Sequence, residues 1–306
     1  MKIKQLGEFG LIDRIKRRFD VSSGFVGIGD DCAILPFGNS EIVVSVDALV
    51  EGVHFFLDVD PYLLGRKALS VNISDIAAMA AVPRWAFLSL SLRDMEVEWI
   101  DHFIDGFCEV ADEFGVELLG GDTTSSSVNV LNITIMGENK RGESVKRSTA
   151  KVGDLVCVSG RIGCSYAGFF ALKYNIKGAD RYIEAHLNPT PRIEEALSVK
   201  GMATAMIDIS DGFIQDCNHI CKQSGVGMVV EWDSIPFCDA DFITKHEMLC
   251  GGEDYQIIAC IDRKYKDRLI EMGHFSIVGE VVEGMGVELI RDGKREKVDD
   301  CGYKHF

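Results

Sequence analysis

The chain has 306 residues, enough for two ordinary domains that each bury a core. With 47% apolar and 26% charged residues it is typical of a soluble globular protein, and no apolar run is long enough to cross a membrane. The net charge of −16 argues against a nucleic-acid partner, because such proteins usually carry a basic face. An acidic chain can still bind phosphorylated ligands when metal ions lie between its carboxylates and the phosphates.

The N-terminal segment 1–20 is mixed and charged, so it predicts a short amphipathic helix rather than a signal peptide. The ten cysteines are scattered without a CxxC pair. Cys217 and Cys221 would share a helix face, but two further metal ligands are missing. This usage predicts reduced, structural cysteines and a cytoplasmic location.

Strands and helices alternate through the first half of the chain. Asp60 and Pro61 predict a helix start, and Gly115 predicts a helix end. The predicted elements are strands 41–47, 85–92, 116–122 and 128–138 and helices 60–81 and 97–115.

A charged segment at 139–154 is the predicted domain boundary, which gives domains 1–138 and 139–306. A second alternating series follows it, with predicted strands 154–160, 205–213, 226–232 and 255–262 and helices 161–174, 191–201 and 214–225. The pattern predicts two α/β or α+β domains.

Aspartates follow several of these strands. Asp30 and Asp31 come after a Gly-x-Gly turn, Asp47 ends a strand, Asp122 follows a glycine pair, and Asp208 and Asp211 end another strand. Aspartate favours turns, which explains any one of these positions. Together they predict a ligand site, because α/β proteins bind ligands at the carboxyl ends of strands.

Asp75 lies inside a helix that is apolar nearly all round, so it should be buried. A buried carboxylate must be paired or bind a metal, and Arg66 and Lys67 are too far along the helix to pair with it. The alternative is a salt bridge to a distant basic residue. Oxygen ligands without a Cys/His cluster favour Mg²⁺. Lys146 and Arg147 are candidates to face a phosphate, or else belong to a solvated linker.

No P-loop, protein-kinase or dinucleotide-binding motif is present, and no Ser-His-Asp or Cys-His pattern. A nucleotide site would therefore be built from carboxylates and metal ions. We assign no catalytic side-chain nucleophile.

Seven motifs occur in order: "GIGDDCAIL", "SVDALVEGVHF", "KALSVNISDIAAMAAVPRW", "LLGGDTT", "KRSTAKVGD", "IDISDGF" and "GGEDYQI". This set resembles the thiamine-monophosphate kinases of the aminoimidazole-ribonucleotide-synthetase-like ATP-binding superfamily. The resemblance implies a mixed α+β fold of two domains and a homodimer formed through the N-terminal domains, with ATP bound beside that interface. It implies transfer of the ATP γ-phosphoryl group to thiamine monophosphate, several Mg²⁺ ions, and often a monovalent cation such as K⁺.

The resemblance also implies roles for individual residues. The metal ligands would be Asp30, Ser45, Asp47, Asp75, Asp122, Asp208 and Asp211. The ATP contacts would be Gly121, Asp122, Arg147 and Ser210, and the thiamine-phosphate contacts His54, Glu253 and Tyr303. Many members carry an aromatic residue three positions before the tyrosine of the terminal "GY" motif, where this chain has Asp300, so Tyr303 is assigned in its place.

Three alternatives stay open at this point. One is another ATP-dependent synthetase of the same superfamily, although "SVDALVEGVHF" and "GGEDYQI" speak against it. A second is a two-metal phosphatase, since carboxylates and Mg²⁺ also suit hydrolysis. The third is a non-catalytic metal-binding protein, which the absence of an EF-hand pattern disfavours.

Overall fold

The computed structural model describes residues 3–298 and 301–305, which form two units around two β-sheets. The mixed helix-and-sheet organisation predicted from the sequence is confirmed. Among the described helices, none has both the length and the apolar character needed to cross a bilayer.

The first unit contains strands β1 Ala33–Phe37, β2 Ser40–Val50, β3 Val82–Leu92, β4 Glu117–Ser125 and β5 Val130–Lys140, and helices α1 Ile3–Leu6, α2 Glu8–Lys16, α3 Pro61–Ala78 and α4 Val97–Phe114. The sheet order is β1-β2-β5-β3-β4, and only the β3–β4 pair is parallel. β4 is therefore an edge strand. β5 runs two residues past the domain end predicted at 138.

The second unit contains strands β6 Leu155–Val158, β7 Ala203–Asp208, β8 Gly227–Glu231, β9 Ile257–Ile261, β10 Ser276–Val282, β11 Gly286–Arg291 and β12 Lys294–Lys297, and helices α5 Cys164–Tyr174, α6 Asp180–Leu187, α7 Ile193–Ser198, α8 Phe213–Ser224, α9 Lys245–Cys250 and α10 Lys266–Met272. The sheet order is β12-β11-β8-β10-β6-β9-β7. The elements β1, β10–β12, α6, α9 and α10 were not predicted from the sequence.

Helix α3 connects the two units. Asp60 accepts a 2.8 Å hydrogen bond from the Tyr62 amide and caps the helix, as predicted. The helix packs on the first sheet, on α4, and on β7, α6 and α7 of the second unit. The α3–α4 contact is so close that a Cβ atom on Gly65 would lie 2.0 Å from the Phe103 carbonyl oxygen. The predicted burial of α3 is confirmed.

Cys250 and Cys301 form a disulfide, which corrects the prediction that all cysteines are reduced. They are 51 residues apart, so no spacing motif signals the pair, but the fold brings their Cα atoms to 5.2 Å. The other eight cysteines are free. Cys217 and Cys221 are buried in the core of the second unit, in keeping with a structural role.

Candidate active site

A cleft of about 1040 Å³ opens between the two units. It is lined by β2, α3, α5, the loop after β7, the segment 250–255 and the tail 302–305. The residues of the predicted site that line this cleft are Asp30, Ser45, Asp47, His54, Asp75, Arg147, Asp208, Ser210, Asp211, Glu253 and Tyr303.

One end of the cleft is acidic. Carboxylate oxygens of Asp31, Asp75 and Asp208 all lie within 4.8 Å of one another. Ser45 Oγ donates a 2.5 Å hydrogen bond to Asp75, and Ser74 Oγ donates one of 2.6 Å to Asp208. No lysine or arginine in the described part of the chain pairs with Asp75, so the alternative of a distant salt bridge is not what the structure shows.

Burial is the main reason why four acids of the cleft, Asp30, Asp47, Asp75 and Asp208, hold protons tightly. It raises the pKa of Asp208 to about 8 and, with the neighbouring Asp31 charge, that of Asp30 to about 7. The pKa of Asp47 rises to about 6 through burial and then the charge of Asp211. The pKa of Asp75 lies well above its usual range, through burial and then the charge of Asp47. A crowd of buried carboxylate oxygens is a donor set that fits Mg²⁺, whose charge would favour the ionised acids.

Arg147 is held against the acidic end. Its Nε and Nη2 donate hydrogen bonds of 2.8 and 2.6 Å to the two carboxylate oxygens of Asp31, and its backbone amide donates one of 3.2 Å to Asp30. Burial opposes the Arg147 charge, but Asp31 and Asp30 outweigh that effect and raise its pKa. No individual role for Asp31 was predicted from the sequence. The one sequence feature that could have indicated a role is its position beside Asp30 in the "GDD" motif.

The other end of the cleft contains a neutral histidine, His54, and a carboxylate that is ion-paired with a lysine, Glu253. His54 Nδ1 accepts a 2.9 Å hydrogen bond from the Val50 amide, which leaves the ring proton on Nε2. Burial, followed by His305, lowers the pKa of His54, so the ring is neutral at pH 7. His54 therefore offers one N–H donor.

Glu253 is fixed from two sides. Its Oε1 lies 2.8 Å from Nζ of Lys67, which is 2% exposed, and its Oε2 lies 3.5 Å from His186 Nδ1. Burial alone would raise the pKa of Glu253, but Lys67 and then His186 lower it overall, so the side chain is ionised. Gly252 allows the backbone before Glu253 to lie against Ser210, because a Cβ atom at Gly252 would lie 2.1 Å from the Ser210 carbonyl oxygen. Lys67 and His186 were missed because their partner is remote in sequence.

Aromatic rings line the same end. Phe56 and Phe169 stack with centroids 5.9 Å apart, and Tyr303 contacts His305 edge-on at 4.9 Å. His305 in turn lies 5.2 Å from His54. The tail carrying Tyr303 thus reaches the predicted substrate residues, whereas Asp300 lies outside the described residues.

Gly121 and Asp122 do not line the cleft. They lie on β4, whose nine residues are all exposed. Across the sheet, Asp122 of β4 pairs with Ser89 of β3, and Ser89 pairs with Asn132 of β5. Asn132 in turn pairs with Ala48 of β2. Three strand spacings therefore separate Asp122 from β2, roughly 14 Å. Gly121 has a structural reason to be glycine, since a Cβ atom there would lie 1.7 Å from the Leu88 carbonyl oxygen.

Comparison with known proteins decides the family. The family model for AIR synthase related protein, N-terminal domain, matches residues 29–139, and that for the C-terminal domain matches residues 151–292. The thiamine-monophosphate kinase of Escherichia coli strain K12 is 37% identical, with 98% of each chain covered, and that of Aquifex aeolicus is 35% identical with 100% of each covered. This chain belongs to the thiamine-monophosphate kinase family.

The structural comparison agrees with this thiamine-monophosphate kinase assignment. The solved structure of AaThiL complexed with AMPPCP and TMP matches with a TM-score of 0.91 at 35% identity, covering 100% of this chain and 99% of that one. The resemblance drawn from the seven motifs is confirmed, and the chain is a kinase.

Proposed function

We propose that the chain transfers the γ-phosphoryl group of ATP to thiamine monophosphate, giving thiamine diphosphate and ADP. The observation that carries this proposal is a single cleft lined both by buried acids and by His54, Glu253 and aromatic rings. The relative of the same fold holds AMPPCP and TMP together, which supports two phosphorylated ligands meeting in one cleft.

The proposed step is a direct in-line displacement. A phosphate oxygen of thiamine monophosphate forms a bond to the γ-phosphorus, and the bond from that phosphorus to the ADP oxygen breaks. A phosphate monoester has its second pKa near 6, so the attacking group is already largely dianionic and needs no general base. The protein then has to position two anions and balance their charge, which fits the absence of a predicted nucleophile.

The metal ligands are proposed to be Asp30, Asp47, Asp75, Asp208 and Asp211, with the Ser45 hydroxyl beside them. Asp31, whose carboxylate lies within 4.8 Å of those of Asp75 and Asp208, is a further candidate. Mg²⁺ bound there would neutralise phosphate oxygens of both substrates. Arg147 and Ser210 lie at the edge of this acidic end and are the proposed ATP contacts. We assign no residue to K⁺.

The opposite end is proposed to bind the thiamine part. His54 can donate its Nε2 proton to a phosphate oxygen. The thiazolium ring of thiamine is a flat cation, and such cations are attracted to aromatic faces and carboxylates. Tyr303 and the ionised Glu253 provide both kinds of group.

A homodimer is part of the proposal because Gly121 and Asp122 lie outside the cleft of their own chain. β4 exposes Leu118 and Leu119 and has one unpaired edge, and proteins usually cover such edges. A second copy packed on β4 would place Asp122 near the partner's ATP. We further propose that the dimer works in the cytoplasm, a compartment whose thiol reductants can open the Cys250–Cys301 bond.

An ADP-release assay across acceptors tests the activity. We expect Mg²⁺-dependent ADP formation with thiamine monophosphate, and one thiamine diphosphate for each ADP. Free phosphate released without an acceptor would instead identify a phosphatase, and ADP formed only with another acceptor would identify a synthetase of the same superfamily. Magnesium binding without turnover of ATP would identify a metal-binding protein.

Mixing two inactive variants tests the shared site. If Asp122 serves the partner's cleft, exchanging subunits between Asp122→Asn and Asp75→Asn dimers restores activity in the mixed dimers that pair one intact cleft with one intact Asp122. No recovery after confirmed subunit exchange would contradict the shared site.

A further inference from the structure

The disulfide joins two segments that both carry predicted substrate residues. Cys250 lines the cleft and comes three residues before Glu253. Cys301 comes two residues before Tyr303, whose ring contacts His305 beside His54. The bond therefore links the tail to the loop that carries Glu253.

The remaining attachments of the tail among the described residues are non-covalent and few. The Tyr303 amide donates a 3.0 Å hydrogen bond to the Asp211 carbonyl, and Gln215 Nε2 donates one of 3.1 Å to the Tyr303 carbonyl. The His305 amide donates one of 3.3 Å to Glu8. β12 ends at Lys297, so without the disulfide the tail is covalently held only through the end of that strand.

We propose that the Cys250–Cys301 disulfide is a positioning element for thiamine-monophosphate binding, and that a dithiol reductant, by opening it, weakens binding of that substrate but not of ATP. This inference rests on the proposed function. Tyr303 and His305 would have to be ordered at the moment of binding once the tail is released, and that ordering costs affinity. The acidic end is held by contacts of α3 and β2, and Asp211, whose carbonyl contacts the tail, is also held by hydrogen bonds to Gln215 and Asp216, so this end keeps its geometry.

The dithiol reduces the Cys250–Cys301 bond in two exchange steps and is itself oxidised to a disulfide. One thiolate of the reagent attacks Cys301 Sγ, the S–S bond breaks, and the electron pair leaves on Cys250. The second thiol of the reagent then attacks the mixed disulfide, Cys301 takes up the released electron pair, and the reagent leaves as its own disulfide. His246 Nε2 lies 3.8 Å from Cys250 Sγ, where a protonated ring would stabilise the leaving thiolate.

This bond is a selective target. Both cysteines are partly exposed, and Cys250 faces the cleft. The other eight cysteines are free thiols, so a dithiol has no bond to open at any of them. Cys108 is free and exposed on α4, outside the cleft, which makes Cys108→Ser a matched control.

The experiment compares oxidised protein, dithiol-treated protein and the variants Cys301→Ser and Cys108→Ser. Intact mass first establishes the bond in the oxidised protein. We then expect the KM for thiamine monophosphate to rise roughly tenfold on reduction or in Cys301→Ser, with kcat and the KM for ATP nearly unchanged. Cys108→Ser should respond to the dithiol as the unchanged protein does, whereas Cys301→Ser should not respond.

A second readout does not depend on turnover. Because coupling between two equilibria is reciprocal, thiamine monophosphate should shift the dithiol–disulfide equilibrium of the bond toward the oxidised form in a redox buffer, while ATP alone should not. Absence of ADP formation in every form would overturn the proposed function itself. Normal ADP formation with the same KM in oxidised and reduced protein, or failure of the bond to form under mild oxidation, would overturn the positioning role alone.

Discussion

The Ser74 hydroxyl donates a 2.6 Å hydrogen bond to Oδ2 of Asp208, and this contact joins α3 of the first unit to the end of β7 in the second. The next residue on the helix, Asp75, accepts a hydrogen bond from Ser45 of β2. One helix thus holds acids from both units together, so the charge of the cleft depends on the packing of α3.

Asp75→Asn should abolish phosphoryl transfer and leave the fold intact. The amide oxygen can still accept the Ser45 hydrogen bond, but the carboxylate beside Asp31 and Asp208 is lost. We expect activity to fall by about 100-fold or more, as when a charge-stabilising group is removed from an active site. ADP release and circular dichroism measure the two effects, with the exposed Asp112→Asn as control. Full activity in Asp75→Asn would refute the metal assignment.

The metal-free protein should lose stability as the pH rises. The folded pKa values of Asp47, Asp30 and Asp208 are about 6, 7 and 8, against an ordinary value of 3.8. The folded chain therefore keeps protons that the unfolded chain has released, and stability falls through this window. With a chelator, we expect a lower Tm at about pH 8 than at about pH 5.5, and Mg²⁺ should reduce the difference. A Tm that rises over this interval without metal would contradict the electrostatic account.

His54→Ala should raise the KM for thiamine monophosphate while ATP binding is retained. The variant loses the Nε2 donor but none of the acids that would hold the nucleotide's metal. A lost hydrogen bond to a charged group costs about 1.5–3 kcal/mol, or roughly tenfold to a hundredfold in KM. Titration with an ATP analogue supplies the second measurement, and His102→Ala, at an exposed position of α4, is the control. Weakened ATP binding would place His54 at the other end of the cleft.

Removing Glu253 alone should destabilise the fold more than removing both members of its pair. Glu253→Ala leaves the Lys67 ammonium buried without its partner, at a cost of about 2–4 kcal/mol. The double variant Lys67→Met/Glu253→Gln should recover most of that loss. Urea unfolding measures these differences, and the exposed pair Arg263–Glu280 serves as the comparison, worth below about 1 kcal/mol. Equal losses in the single and double variants would show that Lys67 does not depend on Glu253.

The two neighbouring glycines of β4 should respond differently to alanine. At Gly121 the added Cβ would lie 1.7 Å from the Leu88 carbonyl oxygen, whereas at Gly120 the nearest atom is 3.7 Å away on the Phe87 ring. We expect Gly121→Ala to lower the free energy of unfolding by about 1–3 kcal/mol and Gly120→Ala to change it by less than about 1 kcal/mol. Equal effects on stability, with ATP binding lost only in Gly121→Ala, would favour a nucleotide role over strand packing.

Local sequence patterns were sufficient to predict much of the fold. The Asp60 cap and the all-round apolar pattern predicted α3, and the alternation of strands and helices predicted the mixed class. Short strands such as β12 were not predicted, because its four residues are all exposed and show no apolar alternation. The sequence could not predict that Lys67 pairs with Glu253 or Cys250 with Cys301, since these contacts depend on long-range packing. Asp122 fits the family motif, but in a single chain it lies on the exposed edge strand β4, outside the cleft.

Helix α3 also bears on whether the two halves of the chain can exist apart. A fragment ending after β5 would present Lys67, Ser74 and the apolar side of this helix to water, where the second unit now covers them. The complementary fragment would lose Ser74, which binds Asp208, and Lys67, which pairs with Glu253. Expression of either half alone should therefore yield aggregated or poorly folded material, and limited proteolysis at the linker should leave the two pieces associated.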